Sequence, residues 1–268
     1  MKGVSLLDNR KIDRCLRTRQ FGRLRLLLDA CTSTNDVARD LALAGAPEGY
    51  AIVSETQTEG RGRFGRAWLS PRGGIWLTAI LRPPTLFSSL LSIPLIGALA
   101  VARGVNSTLG IRTKVRWPND VVLDHRKLAG VSAEGMSRGN SLDFALLGIG
   151  VNANFSSSLL TGFNKSCTSL LDVIGRPVNR ELLICSILLE FEQSYGLVLS
   201  GNTTRALDLL REHDCSAGSK VRVFLGDVQL VGTLTDLVSL TEVRIARKDC
   251  SSTVVDSGSA DSVEYLAD

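Results

Sequence analysis

Apolar residues recur along this chain with helical and strand periods that alternate. Ser33-Thr34-Asn35-Asp36 precedes Val37, Ala38, Leu41 and Ala42, a cap followed by apolar residues at helical spacing, and Gly45 and Pro47 stop that helix. Residues 50–54 form a short apolar run, and Ile75, Leu77, Ala79 and Leu81 alternate, so both segments predict strands. The apolar stretch 86–105 raises a membrane question. Pro94, Gly97, Arg103 and several serines interrupt it, so it predicts a buried core helix with Pro94 in its first turn. Strands follow at 113–117 and 120–123. Asp124-His125-Arg126 reads as a hairpin turn, with a returning strand at 127–134 and a longer strand at 142–151. Residues 159–174 read as loop and helix. An amphipathic helix spans 179–199, with Leu183, Ile187, Phe191 and Tyr195 on one stripe, and a short helix spans 206–213. From Gly218 the pattern changes to short strands at 220–224, 229–236, 242–246 and 253–256, split by Gly and Asp turns, which fits a small barrel. The expected units are residues 1–214 and 215–268.

Composition narrows the class. With 44% hydrophobic and 22% charged residues in 268, the profile is that of a soluble globular enzyme. A net charge of +4 does not by itself imply a nucleic-acid binder. Residues 1–30 are basic, and are read as a solvated helix leading into a strand at 23–28, too short for a DNA-binding domain with its own core. Six cysteines show no C-x-x-C pair, and His125 and His213 offer no zinc spacing, so no metal site is expected. The expectation is reduced thiols in a cytoplasmic protein without a signal peptide.

The strongest chemical signal lies at residues 57–66, Q-T-E-G-R-G-R-F-G-R. Glycine lets backbone N–H groups approach an anion closely, and arginine supplies a fork of donors that matches carboxylates and phosphates. The segment is not a P-loop or a Rossmann fingerprint, since a strand and not a helix follows it. Four further polar clusters sit at element ends: Ser33-Thr34-Asn35, Arg116-Trp117-Pro118-Asn119-Asp120, Arg126-Lys127-Leu128-Ala129-Gly130, and residues 148–154, G-I-G-V-N-A-N. Taken singly these are a helix cap, a turn, a strand lysine and a glycine bulge.

In their order and spacing the five clusters resemble those of the biotin–protein ligases, also called biotin–acetyl-CoA-carboxylase ligases. The resemblance covers residues 16–155 strongly and the C-terminal part weakly. Two departures are visible. Arg116 stands where the family usually has Lys, and residues 237–247 lack the glycine usual in the family's central barrel hairpin.

The resemblance implies an α+β fold, a mixed β-sheet flanked by helices of the class II synthetase/biotin–lipoate ligase type, with a small C-terminal SH3-like β-barrel. It implies ATP-dependent attachment of biotin to a lysine of a biotin carboxyl carrier protein, through biotinyl-5′-AMP, with Mg²⁺ on the phosphates. Residue by residue, it implies that Ser33, Thr34, Asn35 and Gln57 hold the ureido head. Gly60, Arg61, Gly62 and Arg63 close over the carboxylate and phosphate. Lys127 stabilises developing charge, with Arg61 and Arg63 also catalytic. Trp68 stacks on adenine, and Asn152 faces the nucleotide. Asn119 and Asp120 orient the nucleotide or its metal, and Gly130, Gly148 and Gly150 complete the site. The glycine-rich loop is expected to be mobile without ligand and to order over the adenylate. The expected partner is a carrier domain, with a homodimer possible and neither membrane nor nucleic acid involved. Three readings compete: a lipoate or octanoyl ligase, a biotin-responsive DNA-binding regulator, and an inactive vitamin-binding module.

Overall fold

The computed structural model describes residues 5–83, 88–138, 141–160 and 166–266. Seven strands form a mixed sheet: β1 (Arg25–Leu28), β2 (Ala51–Ser54), β3 (Ile75–Leu81), β4 (Lys114–Arg116), β5 (Asp120–Leu123), β6 (Arg126–Arg138) and β7 (Ser141–Val151). Their order is β1-β2-β3-β7-β6-β5-β4, with β1 and β2 parallel and every other pair antiparallel. Helices flank this sheet: α1 (Asn9–Cys15), α2 (Thr34–Leu43), α3 (Ser88–Leu109), α4 (Leu170–Ile174), α5 (Arg180–Leu199) and α6 (Thr203–His213).

Strands β2 and β3 are buried at every position, so apolar residues occupy both faces of β3 rather than one, with Ser54 and Thr78 as buried polar positions. One face of the sheet packs on α3, and α3 packs on α5. The other face packs on α2 through Ala38, Ala42, Ile52, Ile80, Phe144 and Leu146. Both α3 and α5 are long and apolar enough to cross a membrane by length and composition, yet in this fold they form the main core.

Helix α3 begins at Ser88, so Pro94 lies inside it and not in its first turn. An internal proline removes one helical hydrogen bond. Tertiary packing holds the first turns regardless: Leu90 fits the space left by Gly135, Leu91 that left by Gly258, and Ile93 is fully buried. The N-terminal helix is shorter than expected and is not merely solvated, since Ile12 is fully buried between α1 and α5. There Cys15 and Cys185 meet sulfur to sulfur as a disulfide, with Cα atoms 6.1 Å apart, which corrects the expectation of reduced thiols throughout. The other four cysteines are free. A sequence separation of 170 residues leaves no spacing signal for that pair. The loop expected within 159–174 falls partly on residues 161–165, outside the described residues.

A second, antiparallel sheet holds β8 (Lys220–Leu225), β9 (Val228–Leu237), β10 (Glu242–Ala246), β11 (Ser252–Asp256) and β12 (Ser262–Tyr265). Its order is β11-β10-β9-β8-β12, an open sequence of ladders with β11 and β12 at the two ends. Strand β12 is missing from the sequence-based expectation.

Candidate functional site

A cavity of about 510 Å³ opens between the mixed sheet and the second sheet. Every site residue expected from the sequence lines it except Gly60. Gly60 stands just behind the wall, where a Cβ would strike the Trp68 carbonyl and lie 2.6 Å from Ser70 Oγ.

The floor is neutral and built from the start of α2. Ser33 caps that helix, its hydroxyl accepting from the Asn35 N–H at 3.3 Å. Gln57 Oε1 accepts from Thr34 N (2.8 Å) and Thr34 Oγ1 (3.0 Å), while Gln57 Nε2 donates to Ser70 Oγ (2.7 Å). Thr78 Oγ1 donates to Asn35 Oδ1 (2.6 Å), and Asn35 Nδ2 donates to Glu134 Oε1 (2.6 Å). Each amide is thereby fixed in orientation by partners on neighbouring elements. Ser70, Thr78 and Glu134 were not anticipated, because each sits in an ordinary strand or loop context without a motif of its own.

The glycines of β6 and β7 serve close approach and not a bulge. The register runs unbroken through Gly148 and Gly150. Gly150 pairs across the sheet with Gly130, and the Trp68 indole lies on this pair: a Cβ on Gly150 would stand 2.6 Å from Trp68 Nε1, and one on Gly130 would stand 3.0 Å from the ring. A Cβ on Gly148 would stand 2.6 Å from Ser132 Oγ. Trp68 is thus part of the floor, packed beside Trp76, Phe155, Leu160 and Cys167, and its Nε1–H is buried without an acceptor among the described residues.

The wall is charged, with five basic side chains against two carboxylates. Lys127 Nζ lies 2.6 Å from Asp120 Oδ1 and 5.1 Å from the Trp68 ring centroid. Arg116 Nη2 reaches the other oxygen, Asp120 Oδ2, at 3.3 Å. Arg61 pairs with Asp36, which also accepts from Arg39 at 3.0 Å. Burial pushes the Asp36 carboxyl up, but the hydrogen bonds and charges of these two guanidiniums outweigh it and hold Asp36 below the usual range.

The glycine-rich loop is a short hairpin. Gly62 N donates to Arg66 O (2.7 Å), Trp68 N to Gly60 O (2.8 Å), and Arg61 bridges Ala67. At its tip Phe64 and Gly65 take positive φ, 56° and 72°, and Phe64 is exposed. Arg63 donates to Ser257 O (2.5 Å) and Ala260 O (3.3 Å), and Arg66 to Asp261 O (2.9 Å), so the loop leans on the turn between β11 and β12. Burial lowers the Arg63 pKa from the ordinary arginine value, as for a cation drawn out of water with carbonyls as its hydrogen-bond partners.

Three of the expected residues also have protein partners of their own. Asn119 Nδ2 donates to Val131 O (2.7 Å) and the Asn119 backbone carbonyl accepts from Val131 N (3.0 Å). Asp120 is bracketed by Lys127 and Arg116, and the described residues contain no cluster of three or more His, Cys, Asp or Glu. Asn152 is buried with its Nδ2 on Thr168 O (3.0 Å), tying β7 to the segment before α4. Burial pushes the Cys167 thiol up, which disfavours a thiolate nucleophile on this wall. The second sheet supplies Asp261, Ser262, Val263 and Tyr265 to the cavity. Their strand reads S-V-E-Y, whose two-residue alternation is too short to signal a strand by itself.

A neutral hydrogen-bonded floor beneath a cationic wall, set on a mixed sheet, describes a site for a ligand with a polar uncharged head and an anionic end. Comparison with known proteins agrees. Residues 27–152 match the model of the biotin/lipoate A/B protein ligase family. The chain is 32% identical over 222 residues to the biotin–[acetyl-CoA-carboxylase] ligase of Mycobacterium tuberculosis, covering 78% of this chain and 79% of that one. It is 33% identical over 209 residues to the bifunctional ligase/repressor BirA of Bacillus spizizenii, covering 77% of this chain but 64% of the relative's length. Among solved structures, the biotin protein ligase from Aquifex aeolicus in complex with biotin and ATP superposes with a TM-score of 0.78 at 25% identity, over 91% of this chain and 100% of that one. The chain belongs to the biotin/lipoate A/B protein ligase family, among the biotin protein ligases.

Proposed function

We propose that this chain joins biotin to a lysine of a biotin carboxyl carrier domain, at the expense of ATP and through biotinyl-5′-AMP. The observation that carries this reading is the continuity of the cavity: a neutral hydrogen-bonded floor at Thr34, Asn35 and Gln57 runs directly into the wall holding Lys127, Arg61 and Arg116. The ureido head of biotin, which carries N–H donors and a carbonyl but no charge, suits the floor. Its carboxylate and the phosphates of ATP suit the wall.

The first step brings two anions together, which water alone disfavours. A biotin carboxylate oxygen attacks the α-phosphorus, the bond to the β-phosphate oxygen breaks, and pyrophosphate leaves. Lys127, Arg61 and Arg63 supply the positive field for the charge that develops. In the second step the carrier lysine, as the free amine, attacks the acyl carbon of the mixed anhydride. AMP leaves and the amine loses a proton. ATP enters in this reading as its magnesium complex, the ion held by phosphate oxygens and water, since Asp120 is already engaged by two cations.

Residues 1–214 act in this reading as the ligase domain. Residues 215–268 act as an SH3-like barrel closing one side of the site through Asp261 and Tyr265. The test is pyrophosphate–ATP exchange with one acid at a time. Exchange is expected with biotin, and exchange with lipoate alone would overturn the reading.

A further inference from the structure

Tyr265 lies in β12, the last strand of the chain, far in sequence from Lys127. Its hydroxyl donates to Trp117 O at 2.7 Å, and burial pushes the phenol up, so it remains a donor. Its ring lies under the guanidinium of Arg116, 4.9 Å from the ring centroid. The edge of that guanidinium reaches Asp120 Oδ2 at 3.3 Å and His125 O at 3.5 Å. Asp120 Oδ1 in turn holds Lys127 Nζ at 2.6 Å. A continuous row of contacts thus runs from the second sheet to the lysine on the cavity wall.

The residue types at this row are specific to it. A planar guanidinium can lie face-on to a ring while its edge grips a carboxylate; an ammonium is a point charge on a flexible stem and cannot do both in one fixed geometry. Arg116 stands where the resembling family usually has Lys, and the Arg–Tyr stack gives that departure a physical reason. The Arg116 Nε–H is buried without a partner among the described residues, so stacking and the two contacts made by the edge are what hold the group in place. One carboxylate shared by two cations is also sensitive to position: if Arg116 leaves, Asp120 can turn its second oxygen toward Lys127 and hold the ammonium back from the cavity.

We infer that Tyr265 and Arg116 are positioning residues for Lys127, acting through Asp120, so that the second sheet sets the placement of the lysine as well as closing the cavity. This inference rests on the proposed biotin-activating reaction for its kinetic arm.

The test uses the full chain with Tyr265→Leu, Tyr265→Phe, Arg116→Lys and the double variant Tyr265→Leu/Arg116→Lys. In biotin-dependent pyrophosphate–ATP exchange, Tyr265→Leu and Arg116→Lys should each lower kcat by about tenfold, the scale of losing one partly desolvated cation–π contact, with the biotin dissociation constant unchanged. Tyr265→Phe, which keeps the ring face, should stay within about twofold, and the double variant should be no slower than the slower single, as expected for residues acting as one unit. Unchanged kcat in Tyr265→Leu, or additive losses in the double variant, would overturn the inference. A second arm needs no reaction. In the ligand-free chain labelled with ¹³C-lysine, the Lys127 ε-methylene resonance should move in Tyr265→Leu and Arg116→Lys and hold still in Tyr265→Phe. A Lys127 resonance that ignores Tyr265→Leu overturns the linkage. A wild-type chain that fails to exchange with biotin but shows these shifts overturns the reaction and leaves the linkage standing.

Discussion

The floor and the wall of the cavity are built on opposite plans. On the floor, Ser33, Thr34, Asn35 and Thr78 are all less than 5% exposed, uncharged, and satisfied by one another and by Gln57, Ser70 and Glu134. On the wall, Arg61, Arg116 and Lys127 keep 30%, 19% and 18% of their side-chain surface exposed, and each is held by a carboxylate that can be exchanged for a ligand anion. A floor of this kind is rigid before anything binds and selects by shape and hydrogen-bond pattern. A wall of this kind is poised: its cations have carboxylate partners at the cavity, and an incoming ligand anion can take over a carboxylate's place while keeping each cation paired. Under the proposed function, the floor selects the vitamin and the wall stabilises charge during the reaction.

The largest expected break between the two comes from Lys127→Ala. Removing one preorganised donor from a reacting centre costs about 10²–10³-fold in kcat. Biotin binding, measured by calorimetry, should persist because the floor is untouched; unchanged exchange turnover would remove Lys127 from the chemistry. Next is the support beneath the floor. Arg180, 2% exposed, pairs with Glu55 at 2.8 Å and also donates to Gly74 O, while Glu55 Oε1 accepts from Leu7 N. Arg180→Met strands that carboxylate in the interior and should lower stability by roughly 3–5 kcal/mol in urea titration. The double variant Arg180→Met/Glu55→Met should recover most of the loss; a double variant as unstable as the single would show that packing, not the stranded charge, was lost. A smaller effect belongs to Thr34→Val, which leaves Gln57 Oε1 with one donor in place of two. Biotin affinity should weaken by about tenfold, the scale of one hydrogen bond at a buried site, with kcat nearly unchanged. A loss in kcat with affinity kept would erase the division between floor and wall.

Legibility in the sequence follows the same division. The floor could be read early because a helix cap and a glycine-spaced strand leave local patterns: S-T-N before an apolar helical stripe, and G-I-G at a strand end. The platform function of Gly130 and Gly150 was not legible, since their pairing depends on register between β6 and β7, which no local pattern states. On the wall, arginines spaced by glycines announced an anion site, but not their partners. Arg63 and Arg66 rest on carbonyls nearly two hundred positions away, and Arg116 rests on Tyr265, in a strand of four residues. The extended start of α3 and the Cys15–Cys185 contact were hidden for the same reason: packing against distant residues overrode or supplied what local propensity could not.

The smallest effect concerns the partner that Arg61 keeps when no ligand is present. Asp36 sits below the usual carboxylate range because Arg61 and Arg39 outweigh its burial. A carboxyl depressed in the folded state contributes stability that is fully present above its unfolded value of about 3.9, and that contribution is lost as pH falls through the lower folded value. Arg61→Ala removes one of the two guanidiniums and leaves Arg39 at 3.0 Å, so Asp36 should rise part of the way back. The melting temperature of Arg61→Ala should therefore lie slightly below wild type at pH 7. The gap should narrow as pH falls below the unfolded carboxylate value, because Asp36 takes up its proton earlier in the variant than in wild type only over that range. A gap that stays constant across that range would mean that Arg61 stabilises the fold by packing and not by its charge. The wall would then lose its character as a set of exchangeable ion pairs, and Arg61 would have to be regarded as a fixed part of the hairpin that it opens.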